Sequence, residues 1–439
     1  MHRTKDDQHY GCIGVGAGPA NLSLASLLYG DAAIPTLFLD QKQFFTWHDG
    51  QQLPDTTLQV SMFKDLVSLA DPVNQFSFLS YLHDQGKIYH FINAQFDAMP
   101  RREYRNYLNW VCERNENVVF GERVLSVGFD KTFVVETDRR TVTADNVSIG
   151  MGTSPWVPPV AMDLLGDDQF HVCDVVEKAR SLGGKRVCVV GGGQSGAEAF
   201  LDLISRPPGE RPRRVSWIAR RRNYFPIDDT PFTNDFYMPG YSDHFALLDK
   251  AIRQKLNADH VLTSDGISGA TLREIYQRIY IHRFTEGNED LFSLLPGREV
   301  TNVRRGTAGD WSVEIRDIDH PGVATNVEAD VIIWATGFRP APMTVLEPLA
   351  NRLQREDGEL RIDKSFAVQW DGPADRNIFV HNAAPQQRGL ADRNLSLIAW
   401  RSQRIAERIR GVRKDDQLDS FIEWAAKPEV PETMREMHG

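Results

Sequence analysis

Two glycine-rich turns, each set between a strand-like run and a helix-like run, constrain this chain more than any other feature. The first is Gly16-Ala17-Gly18-Pro19-Ala20-Asn21, after the apolar stretch Cys12–Val15. The second, about 175 residues later, is Gly191-Gly192-Gly193-Gln194-Ser195-Gly196, after Arg186–Val190. Glycine at such a turn lets the backbone approach a pyrophosphate closely, and the following helix offers free N–H groups and the positive end of its dipole. One cradle of this kind seats one dinucleotide. Two in one chain imply two dinucleotides, with electrons passing between them.

The flanking sequence completes a βαβ unit around each cradle. In the first, a strand over Cys12–Val15 leads to a helix over Asn21–Tyr29 and a strand over Thr36–Asp40. Asp40 ends that strand where an acid can bind an adenosine ribose. Asn21 stands where the fingerprint has its third glycine. The second cradle is complete, with Gly191, Gly193 and Gly196 in place. A helix over Ser195–Ile204 and a strand over Arg214–Ala219 follow it. That strand runs into Arg220-Arg221-Arg222, at the position facing the adenosine 2′ site. Arginine there matches a phosphate in charge and geometry, so NADPH is expected over NADH. A solvated basic loop is the competing account.

A chain of 439 residues exceeds one comfortable core and should divide into two or three domains. The net charge of −10 argues against nucleic-acid binding through a basic surface. No apolar run reaches the roughly 18 residues that would span a bilayer, and the N-terminus has no signal-peptide core. Cys12, Cys112, Cys173 and Cys188 are scattered without a C-x-x-C pair, which argues against a redox dithiol or a zinc site. No metal ligand set is therefore assigned, and a cytoplasmic location is expected.

Between and beyond the cradles, helices are expected over Gln75–Gln85 and Arg101–Arg114, and strands over 117–149. The break Gly150-Met151-Gly152-Thr153-Ser154-Pro155 leaves that sheet, and Ala335-Thr336-Gly337-Phe338 forms a second exit like it. Residues 223–300 interrupt the strand pattern, with helical periodicity from Ala246 to Asn257 and from Gly269 to Phe284. Alternation returns at Val300–Val303, Trp311–Ile315 and Val331–Ala335. The chain closes on a strand over Asn377–Val380 and a helix over Leu395–Arg410. The expected fold is α/β, with two Rossmann-like dinucleotide-binding domains and a small, mainly helical insertion. The divisions are 1–160 and 331–439 for the first domain, 161–222 and 301–330 for the second, and 223–300 for the insertion.

The missing C-x-x-C argues against disulfide reductases, and Phe170-His171-Val172-Cys173-Asp174 lacks the glycine and tryptophan of the Baeyer–Villiger and sulfide-oxidising branch. Over nearly its whole length the chain resembles the lysine/ornithine/diamine N-monooxygenases of hydroxamate siderophore biosynthesis. The likeness is carried by Gly14–Leu22, Gln59–Leu66, Phe76–Leu79, Gly191–Gly196, Ala335–Phe338, Asn394–Leu397 and Ala399–Arg401. The resemblance implies FAD in the first cradle, NADPH in the second and O₂ as co-substrate, with the amine attacking a C4a-hydroperoxyflavin. The flavin carries the chemistry, and the protein supplies position and dryness. It also implies a catalytic role for Gln59 beside the flavin ring. FAD contacts fall at Gly16, Gly18, Pro19, Asn21, Asp40, Trp47, His48, Gln59, Thr336, Gly337 and Leu397. NADPH contacts fall at Gly191, Gly193, Gln194, Ser195, Gly196 and Arg220. The family often forms dimers or tetramers, so a homo-oligomer is expected.

For the amine, the resemblance points to Lys64, Asn234, Ser264, Asp265 and Ser396. Ornithine-specific members carry a second asparagine where this chain has Ser264, and the stretch Thr263-Ser264-Asp265-Gly266 looks like the lysine and diamine branch. Arg388 stands where many members have histidine. Asp228, Asp229, Asp235 and Asp265 could receive a second ammonium, or could be helix caps and solvated loop charges. Lys64 could bind a substrate carboxylate, or bridge flavin and protein. A diamine of the cadaverine or putrescine type is the expectation, and lysine is the alternative.

Overall fold

Cys12–Val15 lies inside the strand His9–Val15, and its last four residues are buried as a continuous apolar run. That pattern suits a parallel strand covered on both faces. The computed structural model describes residues 8–58, 60–307, 309–356, 358–412 and 420–424. Its first sheet runs in the order Val118–Phe120, Thr36–Asp40, His9–Val15, Thr141–Ile149, Thr132–Thr137, Val124–Asp130. Asn377–Val380 adds in parallel to the end of Thr141–Ile149. The second sheet is wholly parallel, ordered Phe292–Pro296, Arg214–Ala219, Arg186–Val190, Val331–Trp334, Gln169–His171.

In both sheets the chain order reverses beside the cradle strand. His9–Val15 has Thr36–Asp40 on one side and Thr141–Ile149 on the other. Arg186–Val190 lies likewise between Arg214–Ala219 and Val331–Trp334. Such a switch point opens a crevice at the carboxyl ends of the strands, and both glycine turns sit there. Cys12 and Cys188 are fully buried in these strands, and burial pushes both thiols up to about 12. They are packing residues.

Two expected divisions do not fall where the sheets divide. Phe292–Pro296 belongs to the second sheet, paired with Arg214–Ala219, so the insertion does not run to residue 300. As an edge strand that is only half buried, it lacks the alternation that marks a strand. Val331–Trp334 also belongs to the second sheet, so the return to the first sheet does not begin at residue 331. Four buried apolar residues carry no mark of which sheet they join. Between these strands, Arg298–Arg305, Trp311–Asp317 and Ala324–Ala329 form an antiparallel sheet. It packs Trp311, Val313 and Ile315 against Cys188, Val190 and Trp334.

The insertion is more broken than its periodicity suggests. The helix expected over Ala246–Asn257 is two, Pro239–Leu247 and Lys250–Asp259, because Leu248 and Asp249 are extended. Asp249 takes the N-cap position of the second, a place aspartate favours. The helix expected over Gly269–Phe284 is regular over Gly269–Tyr280 and then widens into a π turn, Ile281–Thr285. The wide turn lets buried His282 reach the Ile204 carbonyl at 2.8 Å and Glu286 at 2.9 Å. Among the described residues no helix is long and apolar enough to cross a membrane.

Candidate functional site

In the first cradle Gly16 has φ +86°, and a Cβ there would come within 2.5 Å of the Gly150 carbonyl. The fold itself demands glycine at this point. Gly18 is different. Its φ of −74° suits any residue, and no protein atom lies within 4 Å of a built Cβ. It caps the helix Pro19–Leu27, whose Pro19 occupies the first turn, where a missing N–H costs nothing. Space left open beside an uncapped helix N-terminus is what a pyrophosphate needs. Asp40 turns its carboxylate back onto the turn, accepting from the N–H groups of Ala17 and Lys42, each at 2.9 Å.

Asn21 is almost wholly buried, and its side chain faces the protein. Its amide reaches the carbonyls of Val15 at 3.1 Å, Gly16 at 2.7 Å and Ser148 at 3.3 Å. The Ser148 hydroxyl donates back to Asn21 Oδ1 at 2.7 Å and meets His381 Nε2 at 2.9 Å. With the Ser148 proton directed at Asn21, His381 donates from Nε2. Burial, followed by the Arg401 charge, holds the His381 pKa well below its ordinary value. The side chain of Asn21 is therefore a latch, and only its backbone can face a ligand.

The second cradle repeats the logic with bare backbone. Gly191 has φ +142°, and a Cβ would lie 2.0 Å from the Ala335 carbonyl. A Cβ on Gly196 would lie 2.3 Å from the Gly191 carbonyl, which also accepts from Trp217 Nε1 at 2.8 Å. Gly193, at φ −108°, has only the Asp265 carbonyl nearby, at 3.6 Å. Gly18 and Gly193 thus occupy the same place in the two turns, and neither is required by the fold. Ser195 lies in the first turn of the helix Gln194–Ser205. The Gln194 side chain is committed internally. It donates to Glu198 and Thr271 and accepts from the Ser268 N–H, pinning the start of Gly269–Tyr280.

The three arginines after Arg214–Ala219 have separate fates. Arg221 donates to the Asp265 carbonyl at 2.7 Å, and Arg222 forks onto Asp319. Arg220 is exposed beside the cradle and makes no polar contact among the described residues.

Aromatic and imidazole side chains meet around Phe338. His48, with φ +54°, stacks edge-on to Trp47, bonds Gln51 Nε2 at 2.7 Å and faces Phe338. Part of His48 is exposed, yet crowding desolvates its imidazole. With Arg101 and Lys42 nearby, its pKa is pushed down to about 4. His171 packs on Phe338 from the second sheet and donates to the Gly337 carbonyl at 3.1 Å. Gly337, at φ +89°, also accepts from Trp156 N–H, while Thr336 donates to the Trp156 carbonyl. A bidentate ion pair between Arg101 and Glu198, mostly buried, ties the helix Arg101–Arg114 to the second cradle helix. Neither partner carries a sequence signal that could have found the pair. Their separation of 97 residues is bridged only by the fold.

Lys64 and Ser396 meet across 332 positions, with Nζ 3.0 Å from Oγ. Burial lowers the Lys64 pKa from its ordinary value. Leu397, the next residue, points into the core below the helix Ile398–Arg410. Asn234 lies on the short turn Thr233–Tyr237 and folds its amide onto the Asp229 carbonyl at 2.8 Å. That turn packs against Leu390–Arg393, just ahead of Ser396. Ser264 and Asp265 share no polar contact with Lys64 among the described residues; they are bonded to each other at 2.9 Å and held beside the second cradle by Arg221. Arg388 is buried on Asp243 at 2.9 Å and on the Asp363 carbonyl. Gln59 lies outside the described residues.

Comparison with known proteins gives a consistent result. The sequence model for L-lysine 6-monooxygenase/L-ornithine 5-monooxygenase matches residues 8–340. The chain is 36% identical to an L-lysine N6-monooxygenase of Escherichia coli, over 91% of this chain and 94% of that protein. It superposes on the FAD-bound cadaverine monooxygenase DfoA of Erwinia amylovora with a TM-score of 0.89 at 26% identity, covering 96% and 100% of the two chains. For the ornithine N-hydroxylase KtzI of Kutzneria sp. 744, with reduced FAD, NADP⁺ and L-ornithine, the TM-score is 0.84 at 27% identity. The coverage is 92% and 99%.

Proposed function

Because this chain belongs to the L-lysine 6-monooxygenase/L-ornithine 5-monooxygenase family, we propose that its substrate is a diamine of the cadaverine or putrescine type. It is an FAD- and NADPH-dependent N-hydroxylating monooxygenase of siderophore biosynthesis, and one terminal primary amine is the group it oxidises. FAD supplies the oxygen activation, and NADPH supplies the electrons. In this reading Gly16, Gly18, Pro19, Asp40 and the Asn21 backbone seat the FAD phosphates and ribose. Trp47, His48 and Gln59 lie on the flavin side, and Thr336, Gly337 and the Leu397 backbone are further FAD contacts. Gly191, Gly193, Ser195, Gly196 and the Gln194 backbone seat NADPH, with Arg220 on the 2′-phosphate.

The amine must shed a proton first, since its solution pKa is about 10.4. Desolvation drives that loss. Lys64 reports on the local environment: its own ammonium is lowered by burial at the point where Ser396 meets it. The observation that carries the diamine reading is charge. Residues 223–249 hold Asp228, Asp229, Asp235, Asp243 and Asp249, and no lysine or arginine. Asp243 is spent on Arg388 and Arg404. The Asp229 carboxylate has no side-chain partner among the described residues, and Asn234 folds over its backbone. A second ammonium suits such a surface, and an α-carboxylate does not.

The 36% identity to an L-lysine N6-monooxygenase favours the second reading, hydroxylation of L-lysine at N6 by the same route. In that case Lys64 would hold the carboxylate. The discriminating test is hydroxylamine formed per NADPH oxidised with cadaverine, putrescine, lysine and ornithine. The diamine reading requires cadaverine or putrescine to exceed lysine in kcat/KM by about tenfold, or 1.4 kcal/mol. The opposite ratio overturns it. Lys64→Ala adds a second arm: a lysine enzyme loses amine affinity, whereas a diamine enzyme loses coupling.

A further inference from the structure

The turn that carries Asn234 is too short to hold itself. Thr233–Tyr237 is five residues of 3₁₀ helix with no side-chain N-cap, and such pieces depend on tertiary contacts. Two of its supports are local to the insertion. Tyr237 donates to the Thr263 carbonyl at 2.7 Å, and Thr233 bonds Asp228 at 2.9 Å. The third comes from the far end of the chain. Ser420 Oγ donates to Asp235 Oδ2 at 2.9 Å, across 185 positions, and itself accepts from the Ile422 N–H. Four residues on, Trp424 covers the same turn. Its ring lies 5.6 Å from Phe236, meets Tyr241 edge-on at 4.7 Å and stacks on His244 at 6.3 Å. On its other side Phe236 stacks on His260 at 4.3 Å.

We propose that Ser420 and Trp424 are positioning residues for the amine: the segment Ser420–Trp424 straps the Thr233–Tyr237 turn and fixes where Asn234 stands. This rests on the reading that the turn meets the substrate. Among the described residues the strap's polar and aromatic partners all lie outside both cradles, so its influence should be confined to the amine. It grips the turn at the residue after Asn234 by a charge-assisted hydrogen bond, and one residue further on by an aromatic face. Loss of either would remove one of the two contacts that the strap makes with this short helix.

The test uses the FAD-loaded full chain. In Trp424→Ala, the amine KM should rise about 3- to 10-fold, the range expected for an aromatic contact, with a lower yield of hydroxylamine per NADPH. The NADPH KM and the anaerobic rate of flavin reduction should stay unchanged. Trp424→Phe should recover most of the loss, and Ser420→Ala should show a smaller effect in the same direction. Hydrogen exchange should quicken at the Asn234, Asp235 and Met238 amides in Trp424→Ala. Unchanged exchange there, in a folded and FAD-loaded variant, overturns the strap. Faster exchange with an unchanged amine KM overturns the positioning role while leaving the contact real. Asn234→Ala separates the two premises. If that variant leaves the amine KM untouched, the placement of substrate at this turn fails, whatever Trp424 does.

Discussion

In the second cradle Gly196 lays its bare Cα against the Gly191 carbonyl, whereas at the same point of the first cradle Asn21 reaches out to Val15, Gly16 and Ser148. Both devices hold a turn whose leading glycine has positive φ. They tie it to different things. Asn21 links the first turn to the strand Thr141–Ile149 and, through Ser148, to His381 at the end of Asn377–Val380. The second turn is held by its own sheet through Trp217 and is anchored also to the insertion, through Gln194 to Ser268 and Thr271 and through Arg221 to Asp265. The first cradle is thus braced by its own sheet. The second is braced in addition by the element that carries candidate substrate residues.

The largest expected effect separates the two glycines of the second turn. Gly191→Ala puts a Cβ 2.0 Å from a backbone oxygen at φ +142°, and should cost at least about 3 kcal/mol of unfolding free energy in denaturant melts. Gly193→Ala should leave stability within about 0.5 kcal/mol and raise the NADPH KM more than about tenfold. A Gly193→Ala variant that unfolds, or one that binds NADPH normally, breaks the division between structural and ligand-facing glycine.

Next comes Asn21→Gly, which restores the fingerprint glycine to the first cradle. A consensus argument expects no harm. The latch argument expects a loss of about 1–3 kcal/mol, since buried groups lose their partners. Denaturation monitored by flavin release distinguishes the two. Arg220→Ala should then raise the NADPH KM about tenfold or more while sparing the NADH KM and the melting temperature, as befits a charge with no polar partner among the described residues. Equal losses with both nucleotides would refute its assignment to the 2′-phosphate.

The smallest effect concerns pH. His381 is buried neutral beneath the first cradle, with its pKa held low in the folded state. Its unfolded pKa is about 6.5, so the unfolded chain binds the extra proton. Stability should be full above that value and decline as pH falls below it. His381→Gln should flatten the decline. A slope unchanged in that variant would show that the titration lies elsewhere, for instance at His171, which burial also holds low.

Much of the architecture was legible because periodicity and glycine spacing are local. The strands Thr36–Asp40, Arg186–Val190 and Arg214–Ala219 and the helix Arg101–Arg114 have the bounds expected from pattern alone. Illegible were the sheet memberships of Phe292–Pro296 and Val331–Trp334, because pairing is a property of two segments. Pattern could not foresee the use of the Asn21 side chain either. A cradle residue normally reads as facing its ligand, and nothing in the sequence places Ser148 or His381 beside it.

Local sequence was enough for two glycine cradles in βαβ units, helical segments after the second and a family, since each depends on residues close together along the chain. Tertiary structure alone brought Lys64 to Ser396, paired Arg101 with Glu198 and carried Trp424 back to Phe236. Contacts of that kind span 97 to 332 positions, and only the closed fold meets the entropy of bringing such distant groups together.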